Sequence, residues 1–570
     1  MRYKLLGNND TNNIIQTILN NRGIKDWKKY LSLSFSSRET YKDLDDIKIA
    51  VETFDKHFQN KDPIAILQDC DVDGLTSCTT MYKYIKCLDE NYDVRLYVHR
   101  KNKSHGLNDN DFDIDEDIKL LIVPDAGSND VAEHKSLYNM GIDCICLDHH
   151  QVNIDIKESP AIIINNQTSD NYQNKNCCGA SITLEFCRAL DDYYWEEYAD
   201  DFLDLVAVAN VCDVMSLKEF ETRAIVNEGL NNIKNKMLEE IIKAQDFSMK
   251  GIISPHTVGF YIGPLCNAFI RLATYEERQL LIRAFCEDES ETFEYIKRGE
   301  VLPTEENIYQ HCVRLMKSYK GKQDRARDKA FNVLMKQASK NELDKVAIID
   351  ASEELDSAYT GLVAIKLSES LHKPVLLVRE TSEGYAGSGR SFDYCPIEDF
   401  RELVNQCPSS TLAQGHPSAF GTCLTDIDSA KEWFNEQLKN ISFDKVYVVD
   451  FNVNSENIQV SWCQELDKYK TVFAHGVDEP LWRIMSLHIS NENTKIIGKN
   501  HDTIQIYDDE TGIKYVMFKC DEHNELLNWL NNNLGDEETW INIIGILELN
   551  EYQGVYTPQV NIKELELKER

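Results

Sequence analysis

No two of the 17 cysteines stand in a C-x-x-C spacing. That absence argues against a zinc ribbon. The odd count argues against a disulfide framework, so free thiols in a reducing compartment are expected. No apolar run approaches the ~20 residues that span a bilayer. The stretch Met1–Asp10 lacks the apolar core of a signal peptide. The expectation is a cytoplasmic protein with no membrane partner. Basic residues are scarce: 61 Lys and Arg against 96 Asp and Glu give a net charge of −35. A generic nucleic-acid binder needs a basic face, and this composition argues against one. It leaves room for a carboxylate-rich metal site beside a local basic channel. Internal repeats and long low-complexity tracts are also absent.

What is present is an ordinary globular composition, 42% hydrophobic and 28% charged. A single core stops growing at roughly 250–300 residues, so 570 residues predict two to four domains. The first 50 residues are polar and Asn-rich, and are expected to be helical. From Pro63 on, short apolar runs alternate with helical stretches: Ile64–Leu67, Val94–Val98, Leu120–Val123, Ile142–Leu147 and Ala161–Ile164. Such runs predict a parallel sheet covered by helices. Residues 218–340 read as mostly helical, with Ile308–Lys340 long, proline-free and basic at Lys317, Lys320, Lys322, Arg325, Arg327, Lys329 and Lys336. That stretch either lines a nucleic-acid channel or is a solvated helix face paired through Asp324 and Asp328. A second α/β pattern begins at Val346–Ile349 and includes Pro374–Val378. After Phe443, alternating strands such as Thr503–Tyr507 and Lys514–Phe518 suggest a small β-domain or barrel.

The acids sit where these strands end. Ile64–Leu67 runs into Gln68-Asp69-Cys70-Asp71-Val72-Asp73-Gly74, Leu120–Val123 into Pro124-Asp125, and Ile142–Leu147 into Asp148-His149-His150. Open parallel sheets bind ligands outside the carboxyl ends of their strands. Asp71 and Asp73 are two apart, which in extended chain points them to one side. Gly74 would then permit a sharp turn into a helix beginning near Leu75, with Thr76 and Ser77 near an N-terminus that favours phosphate. Oxygen and imidazole ligands suit Mn²⁺ or Mg²⁺. Two ions ~3.5–4 Å apart can clamp a phosphodiester and activate water. Asp213 closes the apolar run Phe202–Val211 and needs a partner, which a metal would supply. A single Asp is more often a cap or a turn. Three strand ends in order, all carrying Asp, are not explained that way. The acidic run Asp109–Asp117 lacks the Gly and Glu of a calcium loop and reads as solvated.

The order D-C-D-V-D-G (69–74), V-P-D-A-G-S-N (123–129), D-H-H (148–150) and V-A-N-V-C-D-V (208–214), with Cys178-Gly179-Ala180 between the last two, resembles the DHH phosphoesterase superfamily. His105-Gly106-Leu107 resembles a family loop near the site. I-G-P-L-C-N-A-F-I-R-L (262–272), G-S-G-R-S (387–391), Q-G-H-P-S-A-F-G (414–421), F-A-H-G-V-D-E-P (473–480) and L-E-L-N-E-Y-Q-G (547–554) resemble the RecJ-type exonucleases within it.

The resemblance implies a multidomain α/β fold. Its parts are a helical extension (1–50), a parallel-sheet DHH domain (51–225), a helical connector (226–340), an α/β DHH-associated substrate-binding domain (341–437) and a β-rich oligonucleotide-binding fold (438–570). It implies Asp71, Asp73, Asp125, His149 and Asp213 as ligands of two divalent ions, Mn²⁺ first and Mg²⁺ second. Asp69, Asp148 and His150 would support the chemistry, and Ser388, Arg390 and His416 would bind substrate. The implied reaction is hydrolysis of single-stranded DNA from the 5′ end to 5′-mononucleotides, by a monomer recruited by a single-strand-binding protein or helicase. Gln68, Cys70, Gln414 and Leu265-Cys266 depart from the family pattern. Phe473, Trp482, Tyr552 and Tyr556 are aromatic residues for base stacking or for the core. The alternatives are a phosphodiesterase of short oligonucleotides, an inactive replication or repair scaffold, and a β-rich binding module with an inert passenger.

Overall fold

The computed structural model describes residues 1–33, 40–101, 104–107, 111–297, 299–338, 344–392, 395–443, 445–498, 501–520, 524–532, 538–552 and 554–568. The chain divides into two compact units. One comprises Lys28–Lys322 with Thr471–Asp478. The other comprises Met1–Trp27, Gln323–Lys470 and Glu479–Arg570. Among the described residues no helix is long and apolar enough to cross a membrane.

The first unit is built on five strands in the spatial order Val94–Val98, Ile64–Gln68, Leu120–Pro124, Asp143–Asp148, Ile162–Asn165. All neighbours are parallel. Four of the runs are unbroken because both faces of the sheet are covered there, whereas the edge strand Val94–Val98 carries Arg95 and is only partly buried. Ile64, Ile66, Leu120, Ile122, Ile145 and Leu147 join one core. The alternate residues Ala65, Leu67, Leu121, Val123, Cys144 and Cys146 join another on the opposite face. In chain order the strands run 2-1-3-4-5, so the order reverses between the first and third. A crevice opens there, outside the carboxyl ends that carry Asp69 and Asp125.

The helix expected near Leu75 begins earlier, at Val72, and runs to Leu88. Asp71 is its N-cap, and its carboxylate accepts the Gly74 N–H at 3.0 Å. Asp73 therefore lies in the first helical turn, and the two acids do not alternate along extended chain. Gly74 is inside the helix, and its role is close approach. A Cβ there would stand 2.6 Å from Asp69 Cβ and 2.8 Å from Asp69 Cα. The helix is buried along most of its length, and most of its hydroxyls bond within it. Thr76 donates to Val72 O at 2.9 Å and Thr79 to Leu75 O at 2.7 Å.

Residues 220–338 are helical except for the antiparallel hairpin Thr292–Tyr295 and Thr304–Asn307, which departs from the expected helical pattern. The long basic stretch forms the helix Ile308–Ala338; its last two expected residues, 339 and 340, lie outside the described residues. Part of its charge is paired: Arg327 with Asp324 and Asp328, and Asp328 with Lys366. The helix-face reading thus holds for this part.

In the second unit a mixed sheet orders Ser410–His416, Ala419–Leu424, Gly384–Arg390, Val375–Thr381, Ala347–Asp350. A seven-stranded sheet follows, of Phe451–Asn454, Trp482–Ile489, Thr539–Tyr552, Val555–Leu567, Ile513–Met517, Thr503–Asp508 and Thr494–Ile497. The N-terminal residues are not wholly helical. Arg2–Leu5 is a strand paired in parallel with Val446–Val449, which packs Leu5 against Tyr447, Val449 and Ile544. Phe473 and Trp482 are buried, the latter stacked on Phe451 and Trp462, and so belong to cores. Tyr556 is exposed. The side chain of Tyr552, residue 553 and residues 108–110 of the acidic run lie outside the described residues. In the described part of that run, Asp115 and Asp117 pair with Arg95, whereas Asp111 is buried against His99.

Candidate metal centre

Three strand ends and three helix ends converge at the crevice. The imidazole of His149 is at the centre, its Nε2 3.2 Å from Asp125 Oδ1, 3.5 Å from Asp213 Oδ2 and 3.7 Å from Asp73 Oδ2. Asp213 arrives as the C-cap of the helix Leu203–Cys212. Asp125 has φ +65°, the left-handed region, and its N–H donates to Leu147 O at 2.8 Å, which locks the turn at the strand end. Among the described residues, ligand atoms of Asp69, Asp71 and Asp125 lie within 4.8 Å of one another. The same holds for Asp73, His149 and Asp213, and for Asp125, His149 and His150.

The acids divide by what satisfies them. Asp73 accepts the N–H groups of Gly179 (2.7 Å) and Ala180 (2.8 Å) at the N-terminus of the helix Gly179–Tyr194, and the Ser77 hydroxyl at 3.2 Å. This is the work of the Cys178-Gly179-Ala180 segment. An ionised carboxylate offers about four lone pairs, so Asp73 retains capacity for a cation. Asp148 accepts from the backbone N–H groups of Ser128 (2.9 Å), His149 (2.7 Å) and His150 (3.1 Å), and meets His150 Nδ1 at 2.8 Å. Burial opposes its ionisation, but the His150 contact outweighs it and holds the carboxyl well below the usual range. Asp69 meets His105 Nδ1 at 2.8 Å and accepts the Gly106 N–H at 3.1 Å. By contrast, Asp125 Oδ1 and Asp213 Oδ2 are buried with no hydrogen-bond donor. Burial, then repulsion from Asp73, Asp71, Asp69 and Asp213, pushes Asp125 well above the usual carboxylate range. Burial with Asp73 and Asp71 does the same to Asp213. Burial, Asp69 and Asp73 push Asp71 up to about 6, with Arg271 pulling weakly the other way.

Five carboxylates this close, two of them with orphaned oxygens, are costly without a cation. Hard oxygens plus one imidazole are the donor set of a divalent hard metal. Burial, reinforced by His150, pulls His149 down to about 4, so its imidazole is neutral at pH 7 and can ligate. Asp148 more than offsets burial at His150 and pushes it up to about 9, giving a half-exposed imidazolium. His105, also half-exposed, is raised by Asp69 against burial, and its ring is 4.8 Å from that of His150. The motif pattern marks the His105 loop but assigns it no role. The structure shows a second Asp–His pair beside Asp148–His150.

Asp148 holds the second and third motifs together through Ser128 and its own turn. Replacing it with Ala leaves three buried or part-buried N–H groups without their acceptor, and a loss of about 2–4 kcal/mol is expected. Urea unfolding of the metal-free protein checks this. An unchanged midpoint would show that Asp148 does not anchor the turn.

Ser388, Arg390 and His416 lie in the other unit. Ser388 Oγ is 3.0 Å from Thr360 Oγ1. A Cβ at Gly361 would stand 2.6 Å from an Arg390 guanidinium nitrogen, so Arg390 lies against the N-terminus of the helix Thr360–Leu371. Arg390 and His416 are both paired with Ala419, one from each side, which puts the three on one face of the sheet.

The fold and the motif-bearing strand ends are those of the DHH class of phosphoesterases. Residues 63–210 match the model of the DHH family, N-terminal domain, and residues 449–564 match the RecJ OB domain. The chain is 35% identical over 580 aligned positions to a putative SPbeta prophage-derived single-strand DNA-specific exonuclease, YorK, of Bacillus subtilis, covering 100% of this chain and 98% of that one. It is 25% identical to the single-stranded-DNA-specific exonuclease RecJ of Bacillus subtilis over 92% of this chain and 64% of that protein. The crystal structure of RecJ in complex with Mn²⁺ from Thermus thermophilus superposes with a TM-score of 0.72 at 17% identity, over 97% of this chain and 76% of that one. The chain belongs to the RecJ-type single-strand-specific exonucleases.

Proposed function

We propose that this protein hydrolyses single-stranded DNA from its 5′ end, releasing 5′-mononucleotides, with two divalent ions held by Asp71, Asp73, Asp125, His149 and Asp213. The observation that carries the reading is the pair of buried, donor-free oxygens on Asp125 and Asp213 beside a neutral His149. Ligand-type atoms gather in three overlapping triplets, Asp69/Asp71/Asp125, Asp73/His149/Asp213 and Asp125/His149/His150, more donors than one ion needs, which supports a count of two. Relatives named for single-stranded DNA support the substrate, and the Mn²⁺ complex of the Thermus RecJ supports the ion. A second crystal structure of that RecJ, in complex with Mg²⁺, leaves magnesium as the alternative.

When bound, such ions supply Lewis-acid activation of water and positive charge for the leaving oxygen. The chain supplies the rest. Asp73 is set by backbone donors and Asp125 by its left-handed turn, so ligand positions are preorganised. Asp148 keeps His150 protonated, and Asp69 shifts His105 in the same direction. Two half-exposed imidazoles thus stand at the pocket edge, where a phosphate can be met. Ser388, Arg390 and His416 would grip the strand or its terminal phosphate, Arg390 beside a helix N-terminus that favours anions. The five regions 1–50, 51–225, 226–340, 341–437 and 438–570 would then be extension, catalytic domain, connector, substrate domain and oligonucleotide-binding domain. The protein would act as a monomer recruited by a single-strand-binding protein or helicase.

Digestion of a long single strand labelled at one end or the other, with Mn²⁺ and with chelator, tests the reading. Early release of a labelled mononucleotide from the 5′-labelled strand, abolished by chelator, is expected. Release from the 3′ label first would reverse the polarity. Turnover of dinucleotides alone would place the protein with oligonucleotide hydrolases.

A further inference from the structure

A second set of ligand-type side chains lies on the other side of the catalytic sheet. Cys144 and Cys146 are two apart on the strand Asp143–Asp148 and so face the same way. The helix Val131–Asn139 packs over that face and brings His134 to them. His134 Nε2 is 3.3 Å from Cys146 Sγ, and the two sulfurs are 3.9 Å apart. All three ligand atoms lie within 4.8 Å of one another. The side chains are buried, at 1% (His134), 5% (Cys144) and 0% (Cys146) exposure.

We propose that His134, Cys144 and Cys146 supply three of the four ligands of a tetrahedral zinc site on the sheet face under the helix Val131–Asn139, with a non-protein donor in the fourth position. Tetrahedral zinc with Zn–S near 2.3 Å and Zn–N near 2.0–2.1 Å requires S···S edges of about 3.8 Å and S···N edges of about 3.5 Å. The observed 3.9 and 3.3 Å sit close to both. The outer nitrogen of the imidazole is already held: Ser159 Oγ lies 2.8 Å from His134 Nδ1 and accepts the Ala161 N–H at 3.1 Å. That contact fixes the ring with Nε2 toward the sulfurs, as outer partners of metal-bound histidines do. Two thiolates and Zn²⁺ sum to zero charge, which a buried apolar site tolerates, whereas a monovalent ion would leave one negative charge. The set contains no hard oxygen, so it discriminates against the Mn²⁺ and Mg²⁺ proposed for the crevice.

The site would matter to the catalytic crevice through one contact. Gly127 has φ +101°, and a Cβ there would stand 2.7 Å from Cys146 Sγ. The turn that joins Asp125 to Ser128 therefore rests on that sulfur, and a metal on the sulfur would fix the turn from below.

The test uses the full chain carrying Asp125→Asn, which weakens the crevice as a competing site. The protein is loaded with Zn²⁺, cleared of loosely held metal by a weak chelator, and analysed for zinc; a parallel sample receives Co²⁺. One retained zinc per chain and a thiolate-to-cobalt charge-transfer absorption are expected, because carboxylates and imidazoles alone cannot give that band. Both signals should vanish when Cys144→Ser and Cys146→Ser are added. His134→Gln serves as a second variant should the double change fail to fold by circular dichroism, and it too should lose the zinc. No retained zinc with no band would overturn the proposal, as would equal retention by the cysteine and histidine variants.

Discussion

Asp125→Asn is expected to cut Mn²⁺-dependent release of mononucleotides by about a thousandfold while making the metal-free protein more stable. The two effects share one cause. Asp125 Oδ1 is buried and donor-free among four other carboxylates and His149. A bound cation would neutralise that cluster, and losing one ligand removes several kcal/mol of charge stabilisation, which is the factor given. Without metal the same charge only repels its neighbours. Asn keeps the shape and, unlike most residues, tolerates the φ of +65° at this position. Melting of the metal-free variant is expected about 1–2 °C above wild type, for roughly 1 kcal/mol of relieved repulsion in a unit of this size. Mn²⁺ should raise the wild-type midpoint by mass action and barely move that of the variant. If the variant digests single strands at the wild-type rate, Asp125 is not a ligand. If its metal-free midpoint falls, the account of the crevice as a strained cluster is wrong.

The second large effect is expected from Gly179→Ala, far along the chain from the strand-end acids. A Cβ at Gly179 would lie 2.6 Å from the Cα, the Cβ and the Oδ1 of Asp125. Asp125 cannot retreat, because its backbone is fixed in the turn. The helix Gly179–Tyr194 must therefore back away, pulling the Gly179 and Ala180 N–H groups off Asp73. Displacements on the order of 1 Å at a reacting centre cost roughly a hundredfold in rate. Overpacking adds about 1–3 kcal/mol of destabilisation. Gly259→Ala is the control: a Cβ there meets only Val211, at 3.5 Å, and both rate and midpoint should stay near wild type. Exonuclease rates and thermal midpoints of the two variants decide this. Equal behaviour would mean that Gly179 is not a spacer between the ligand and the helix.

Much of the catalytic unit is readable from local pattern. The five apolar runs became the five strands within a residue or two at each end; four of them are buried on both faces and leave no polar alternation to confuse. The acids following those runs are visible for the same reason: they interrupt an apolar segment where the chain must leave the sheet. Local pattern failed at Gly74. There a glycine after two acids reads as a turn, and only the packing of Asp69 against the helix shows it to be a spacer. It failed likewise at Arg2–Leu5, since a short strand whose partner is 444 residues away carries no signal of its own.

By itself, then, the amino-acid sequence determined the sheet-forming segments, the motif order and the donor chemistry of the crevice, since all three depend on residues near one another in the chain. The tertiary structure alone decided which acids are anchored and which are left bare. Asp73 and Asp148 found backbone donors on a helix end and a turn that the strand order carried to them, while Asp125 and Asp213 found none. That division depends on side chains brought together from distant parts of the chain, and no local spacing encodes it.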